Sequence, residues 1–194
     1  MLEIQTLLSA FGLSASAGLN AYIPLLTIAL AARLQPDLMR LTAPFDILTD
    51  GWVIAGLTVL LLIEVLADKV PIIDHVNDLI GLFVRPTAGA VLFAASTGTV
   101  SFLDPRLALV LGFVVAGAAH SAKATARPVV TATTHGLGNP VVSTVEDVAA
   151  FLTSIVALFA PLIIGVAIVA FVVIFAVWLG RRSSRRRTPE PMSG

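Results

Sequence analysis

The sequence predicts an all-α fold, a polytopic transmembrane helical bundle. Apolar residues make up 57% of the 194 residues, charged residues make up only 12%, and the mean hydropathy is +0.97. Soluble domains average about 45–50% apolar and about 25% charged residues, and a soluble chain of this length could not bury the excess apolar surface. A soluble enzyme, a nucleic-acid-binding protein and a disordered regulator are therefore excluded, and membrane lipids are the expected surroundings.

Uncharged stretches of the chain predict about five membrane spans, because a helix needs about 20 apolar residues to cross the hydrocarbon core. These stretches are residues 4–32, 51–63, 87–103, 107–119 and 149–179. In the first, Gly18 and Pro24 flank Asn20, which predicts a kinked or unwound helix. The last stretch is too long for one straight span, so it must tilt, protrude or break near Pro161 and Gly165; one long kinked helix is preferred over two helices.

The charge distribution predicts an integral membrane domain over residues 1–180 and a basic, disordered tail over residues 181–194. The tail holds five of the 12 Lys and Arg residues, and basic residues beside a span favour the cytoplasmic side. We therefore expect a multi-pass protein with a cytoplasmic C-terminus. The absence of cysteine excludes a disulfide framework and thiolate metal sites.

Two polar segments interrupt the apolar pattern, and the first contains four carboxylates. Glu64 and Asp68 are four residues apart, so both project from one face at the end of a span. Asp74 and Asp78 repeat this spacing after a proline restarts the chain. The pattern predicts a short amphipathic helix over about residues 71–82 that does not span the membrane, lying on its surface or as a re-entrant element.

The second polar segment contains a basic face. His120, Lys123 and Arg127 fall at positions i, i+3 and i+7 of one helix. Both polar segments follow a short span and have prolines at matching places, Pro71 and Pro128. This similarity is consistent with an internal duplication, which occurs in transporters with broken helices at their centre.

A further helix start is predicted near Asn139-Pro140. Ser143 has the position of an N-cap residue, and Glu146 has that of its capping-box partner three residues later. On this interpretation Glu146 only caps a helix; on the alternative it belongs to a functional site.

Five motifs occur in order over roughly residues 10–180. They are Gly18-Leu-Asn-Ala-Tyr-Ile-Pro-Leu-Leu26, the segment from Glu64 to Asp74, Arg85-Pro86-Thr-Ala-Gly89-Ala, His120 to Lys123-Ala, and Asn139-Pro140 to Glu146-Asp147. Together they resemble a bacterial integral membrane family known as domain of unknown function 4126. The resemblance implies a polytopic protein of the bacterial plasma (inner) membrane and brings no activity. Before Asn139 the family usually has a short acidic stretch with Ser-Pro, which this chain lacks, so no role for His135 is implied.

Ionisable residues at membrane depth are costly and are therefore functional candidates. The predicted substrate- or ion-binding set unites the polar residues of both segments: Glu64, Asp68, Lys69, Asp74, Asp78, Arg85, His120, Lys123, Arg127, Asn139, Ser143, Glu146 and Asp147. We expect Glu64 and Asp68 to face His120, Lys123 and Arg127 across the bundle. Leaving one charge unpaired in lipid costs at least about 2.5–3.5 kcal/mol on insertion scales.

The predicted function is a small transporter or channel for a polar solute or ion, with proton coupling as one variant. One alternative is a scaffold in which Lys123 or Arg127 forms an interior ion pair with Glu64, Asp68 or Asp147. Another alternative is a lipid-headgroup enzyme or carrier. No catalytic motif is present, so a non-enzymatic protein is expected.

The expected partners are membrane lipids and an unidentified small solute or ion, without nucleic acid. Small-residue runs around Gly89 and Gly112 allow close helix contact within the chain or in a homo-oligomer. No cofactor and no metal are predicted. Carboxylates of the first segment are suitable ligands for a divalent cation, but the nearby Lys and Arg residues oppose cation binding.

Overall fold

A computed structural model describes residues 2–37, 39–68, 71–134 and 138–185, without the side chains of residues 2, 71–78, 180 and 183–185. All regular secondary structure in these ranges is helical, which confirms the all-α prediction. A 3₁₀ helix covers Phe45–Thr49. The α-helices are α1 (Leu2–Leu19), α2 (Tyr22–Leu34), α3 (Gly51–Ala67), α4 (Pro71–Thr97), α5 (Pro105–Thr134), α6 (Asn139–Phe159) and α7 (Pro161–Arg185).

Four segments in the described part of the chain are long and apolar enough to cross a membrane, fewer than the five spans expected. They lie in α4 to α7 and cover Leu79–Thr97, Pro105–Thr134, Asn139–Phe159 and Pro161–Leu179. The apolar helices α2 and α3 have only 13 and 17 residues. The fold is therefore a polytopic helical bundle of the membrane class, in which complete spans are combined with shorter apolar helices.

The first apolar stretch forms two helices with a true break between them. Helix α1 ends at Leu19 and α2 begins at Tyr22. The Asn20 Oδ1 atom accepts hydrogen bonds from the backbone amides of Tyr22 and Ile23, at 3.0 and 3.1 Å. Asn20 thus satisfies amides at the start of α2 that have no partner within the helix. The sequence predicted either a kinked or an unwound helix here, and the structure shows the unwound form.

The last apolar stretch also forms two helices, so the expectation of one long kinked helix is wrong. Helix α6 ends at Phe159, Ala160 leaves the helical conformation, and α7 begins at Pro161. Proline has no amide hydrogen and restricts the residue before it, and both effects favour a helix boundary at this place. Each of the two helices is long and apolar enough to be a candidate span by itself.

The separate short helix expected over residues 71–82 is not observed either. Helix α4 begins at Pro71, as predicted, but continues through Pro86 to Thr97. Similarly, α5 continues through Pro128 to Thr134. Neighbouring helices can satisfy the backbone groups that a proline frees inside a membrane helix, which is why such prolines are tolerated there.

Helix α1 lies at the centre of the bundle and packs against α4, α5, α6 and α7. Its residues Leu13 and Ala17 are completely buried. Helix α7 is the opposite case, because its apolar span from Pro161 to Leu179 has no buried residue. An exposed apolar helix such as α7 is expected in a membrane protein, because lipid solvates apolar side chains and their burial gains little free energy.

Glycines allow α1, α4 and α5 to approach closely. A Cβ atom at Gly89 of α4 would overlap the Ala116 side chain of α5 and lie 2.8 Å from the Gly112 carbonyl oxygen. A Cβ atom at Gly18 of α1 would lie 2.9 Å from the His120 amide nitrogen. Backbone contact of this kind stabilises membrane bundles through dispersion, because no hydrophobic force acts between helices in lipid. The small-residue runs therefore act within the chain.

We predict that Gly112→Ala lowers the thermal stability of the protein in detergent. The added methyl group would meet the Gly89 backbone and the Phe93 Cβ atom, the latter at 2.6 Å, and overpacking of this kind costs about 1–3 kcal/mol. The matched control is Gly56→Ala, because a Cβ atom there meets nothing within 4 Å. That change should be neutral or stabilise by about 0.5–1 kcal/mol. Equal melting temperatures for the two variants would contradict the prediction.

Candidate functional site: a buried ion-pair cluster

Two carboxylates lie at the C-terminal end of α3. Glu64 and Asp68 are only 5% and 2% exposed. They are one turn apart, so both side chains project from the same face of the helix. The rest of α3 is mostly exposed and apolar, apart from Leu57 and a few half-buried residues. The helix therefore presents its two acids to the protein interior and much of its remaining surface to lipid.

Arg85 of α4 forms the first ion pair of the cluster. Its guanidinium Nη2 lies 3.0 Å from Glu64 Oε1, and its Nη1 lies 3.1 Å from His120 Nδ1 on α5. Arg85 is 1% exposed, which makes it one of the largest fully buried side chains. The second carboxylate oxygen, Glu64 Oε2, is buried and has no hydrogen-bond partner among the described residues.

Arg127 and Lys123 of α5 form the second part of the cluster. Arg127 Nη2 lies 3.6 Å from Asp68 Oδ2 and 3.0 Å from Glu146 Oε2. Lys123 Nζ lies 2.8 Å from the same Glu146 oxygen. Glu146 is therefore shared by two cations, and Arg127 links an acid of α3 to an acid of α6. Since each cation replaces water around a carboxylate, the cluster satisfies charges that lipid cannot solvate.

Helix α6 contributes its first two turns to the cluster. Ser143 Oγ donates a hydrogen bond of 3.2 Å to Asp68 Oδ2. Asn139 Oδ1 accepts one of 3.1 Å from the Thr131 hydroxyl of α5. The helix starts at Asn139, as predicted, but its N-cap is Gly138, and Ser143 lies within the helix. The interpretation of Ser143 as an N-cap and of Glu146 as its capping partner is therefore wrong.

The break between α1 and α2 completes the cluster. Asn20 Nδ2 donates a 2.9 Å hydrogen bond to Asp147 Oδ1. Lys123 Nζ donates to the backbone carbonyl of Leu19 at 3.1 Å. The carbonyl end of a helix attracts cations, so Lys123 stabilises the end of α1. The cluster therefore joins α3, α4, α5 and α6 to both sides of the break between α1 and α2.

The structure brings ten of the predicted site residues into this cluster: Glu64, Asp68, Arg85, His120, Lys123, Arg127, Asn139, Ser143, Glu146 and Asp147. Lys69 and His135 lie outside the described residues, as do the side chains of Asp74 and Asp78. The role of the set in binding a solute or ion stays a prediction.

Sequence reasoning did not assign Asn20 and Thr131 to the site, although the structure shows both there. Asn20 was detectable, because an amide side chain between Gly18 and Pro24 in an uncharged stretch needs a polar partner in lipid. Thr131 gave no such signal, since a threonine hydroxyl can bond to its own helix carbonyl, and Thr131 Oγ1 also bonds to Arg127 O.

The charges of the cluster nearly balance. Four carboxylates of Glu64, Asp68, Glu146 and Asp147 face three basic side chains and one histidine. Within the described part of the chain no group of three or more His, Asp and Glu side chains is positioned for a metal ion. A site with both charge signs is chemically suited to proton exchange and to groups that donate and accept hydrogen bonds.

Four apolar candidate spans and a buried ion-pair cluster define a helical membrane protein with a charged interior. The chain belongs to the family described as "Domain of unknown function (DUF4126)", which matches residues 7–182. No curated protein and no solved structure matches the chain.

We predict that Arg127→Met destabilises the protein by about 3–5 kcal/mol, because it leaves Asp68 and Glu146 buried with one cation fewer. Arg106→Met serves as the control, since Arg106 is exposed, and surface changes usually stay within about 0.5 kcal/mol. Thermal unfolding in detergent would measure both. If Arg127→Met melted at the same temperature as the control, the ion pairs of Arg127 with Asp68 and Glu146 would contribute nothing to stability.

Proposed function

We propose that the protein is a small, non-enzymatic transporter or channel that moves a polar solute or ion through the ion-pair cluster, with Glu64 exchanging the proton that couples the movement. The main support for the proposal is the environment of the Glu64 Oε2 atom. It is buried inside the cluster and has no hydrogen-bond partner in the described part of the chain.

An unpaired buried acceptor is costly, which makes it a sign of function. Leaving such a group unsatisfied costs about 1–3 kcal/mol, and more if it is charged. Arg85 binds only the other oxygen of Glu64, through Nη2 at 3.0 Å and Nε at 3.4 Å. A water molecule or a solute donor at Oε2 would supply the missing hydrogen bond, and a proton there would neutralise the buried charge. Glu64 is therefore the group of the cluster best placed to change its protonation state.

The broken helix gives the site a polar backbone. The Leu19 carbonyl at the end of α1 and the Asn20 side chain at the start of α2 both contact the cluster. Opposed helix ends with unwound backbone between them are typical of solute sites in secondary transporters. Because carboxylates, cations and backbone groups occur together, a small polar or zwitterionic solute suits the site better than a bare divalent cation.

The second candidate function is a scaffold in which the cluster only holds the bundle together. It is favoured by the fact that Arg85, Lys123 and Arg127 each contact a carboxylate. Saturated pairs of this kind fix helix packing without any movement of solute. The two candidates differ in one measurable property, which is whether the reconstituted protein carries a flux.

We also propose that the protein lies in the bacterial plasma (inner) membrane with its C-terminus in the cytoplasm. Support comes from the end of α7, where Arg181 and Arg182 are exposed. The Arg182 guanidinium carbon lies 5.1 Å from the centre of the Trp178 ring. Tryptophan beside arginine is typical of a membrane interface, and basic residues next to a span favour the cytoplasmic side.

We expect Glu64→Gln to abolish pH-dependent flux in proteoliposomes, while folding and insertion remain normal. Glutamine keeps the shape of the side chain and can still accept a hydrogen bond from Arg85, but it cannot exchange a proton. Proton movement would be followed with an internal pH-sensitive dye across a panel of small polar and zwitterionic solutes.

The control for this experiment is Asp46→Asn, which removes an exposed carboxylate in the 3₁₀ helix before α3 and should leave the flux unchanged. Wild-type liposomes without any flux, combined with a lower melting temperature of Glu64→Gln, would favour the scaffold. Flux that survives Glu64→Gln with its pH dependence intact would remove Glu64 from the proposed mechanism.

The orientation is tested with reporters fused after residue 188. A reporter that works only in the cytoplasm should be active, because the basic cluster that begins at the end of α7 resists translocation. The matched fusion carries a reporter that works only in the periplasm and should be silent. The reverse pattern of activities would invert the proposed topology.

A further inference from the structure

A second polar region lies at the opposite end of α1 from the ion-pair cluster. Gln5, Thr6 and Ser9 of α1, together with Asp37 of the loop after α2, line a cleft of about 540 Å³ beside the α6–α7 boundary. A second lobe of about 330 Å³ shares Thr6 and Asp37 with the first. We call these two lobes together the α1 cleft.

The α1 cleft contains its own unpaired polar atom. Ser96 of α4 lines the second lobe with Arg40 and Thr99, and it is 4% exposed. Its Oγ atom has no hydrogen-bond partner among the described residues. Buried hydroxyls nearly always have a partner, which is often water, and this lobe is large enough to hold several water molecules. The α1 cleft is therefore a polar cavity that water can satisfy.

The two polar regions are separated by most of the length of α1. Thr6 and Leu19 are 13 residues apart, which corresponds to about 20 Å along a helix that rises 1.5 Å per residue. In the described part of the chain, the only buried side-chain atoms without a partner are Ser96 Oγ and Glu64 Oε2. One belongs to the α1 cleft and the other to the cluster.

A line of polar contacts between α1 and α6 connects the two regions. Near the α1 cleft, Ser9 Oγ donates to a backbone carbonyl of α6 at 2.7 Å. Ser16 Oγ, two turns further on, donates to another α6 carbonyl at 2.7 Å and bonds to Ser154 Oγ at 2.8 Å. Asn20 then bonds to Asp147 of the cluster. We call this antiparallel line the polar seam.

The polar seam is closed in this structure. Gly12 lies between Ser9 and Ser16, and a Cβ atom there would lie 2.7 Å from the Cβ atom of Ala157. No methyl group fits at this contact, so the seam must widen before a molecule can pass. The serine hydrogen bonds between α1 and α6 are individually weak in a membrane bundle, and water or a polar solute can replace them as partners when the seam widens.

We infer that the α1 cleft is the second opening of the protein and that the polar seam is the route between this opening and the ion-pair cluster. This inference rests on the proposed transport function, for which it supplies the path. Water and small polar solutes enter at Thr6 and Ser9, pass the Gly12 contact when the seam widens, and reach the cluster at Asn20 and Asp147.

Cysteine labelling tests the inference, because the chain contains no cysteine of its own. The probe is a membrane-impermeant, positively charged methanethiosulfonate added to one side of vesicles that contain the full chain. Ser9→Cys should react at least about tenfold faster than Ala10→Cys. Ala10 is the matched control, since it is adjacent, completely buried and packed in the apolar core. Thr6→Cys provides a second, less buried position if Ser9→Cys fails to fold.

The seam itself is tested with Ser16→Cys against Ala17→Cys, two neighbours that are both completely buried. Ser16→Cys should react at least about tenfold faster than Ala17→Cys, and more slowly than Ser9→Cys because the seam must widen first. Ser143→Cys, in the cluster, should react when the probe is added to one side of the membrane, and Ser9→Cys should react when it is added to the other side.

The outcomes separate this inference from the transport proposal, because labelling requires no substrate. Ser9→Cys and Thr6→Cys that react as slowly as Ala10→Cys would overturn the second opening. Ser16→Cys no faster than Ala17→Cys would overturn the route. If the protein carries a flux but the seam positions are not labelled, the transport proposal stands and this path is wrong. If the seam positions are labelled but the protein carries no flux, the path stands and the transport proposal is wrong.

Discussion

The requirement that buried charges find partners in a medium without water controls the structure of this protein. Glu64, Asp68 and Glu146 come from two helices, and the cations that meet them come from two others. Removing one partner leaves a charge that neither lipid nor protein can solvate. The helices are consequently locked in rotation and depth at this end of the bundle, and the break in α1–α2 is held open by the same contacts.

Small residues supply the other half of the architecture. Glycines of α1, α4 and α5 bring the backbones of these helices into contact. Because α5 packs so closely, its buried basic side chains can reach the polar groups that α3, α4 and α6 contribute to the cluster. Dispersion and serine hydrogen bonds hold the middle of the bundle, whereas ion pairs hold one end.

Much of the cluster was predictable from the sequence. Carboxylates four residues apart and a basic face with i, i+3, i+7 spacing are properties of single helices, and so is the break that Gly18, Asn20 and Pro24 signal. The pairing was only partly predictable. Arg127 contacts Asp68, one of the expected pairs, but Lys123 contacts Glu146, whose spacing from Ser143 is that of a capping residue. Pair identity depends on how far each helix is rotated and shifted, which no single helix determines.

The sequence by itself determined the class of the protein, because composition decides the solvent and uncharged stretches of about 20 residues decide that helices cross it. The tertiary structure decided where helices end and what each polar group contacts. Proline at residue 86 stays inside a helix, whereas Pro161 begins one. The difference lies in the neighbours, since packed helices can satisfy the backbone groups that a proline frees, and a sequence does not state which helices will be adjacent.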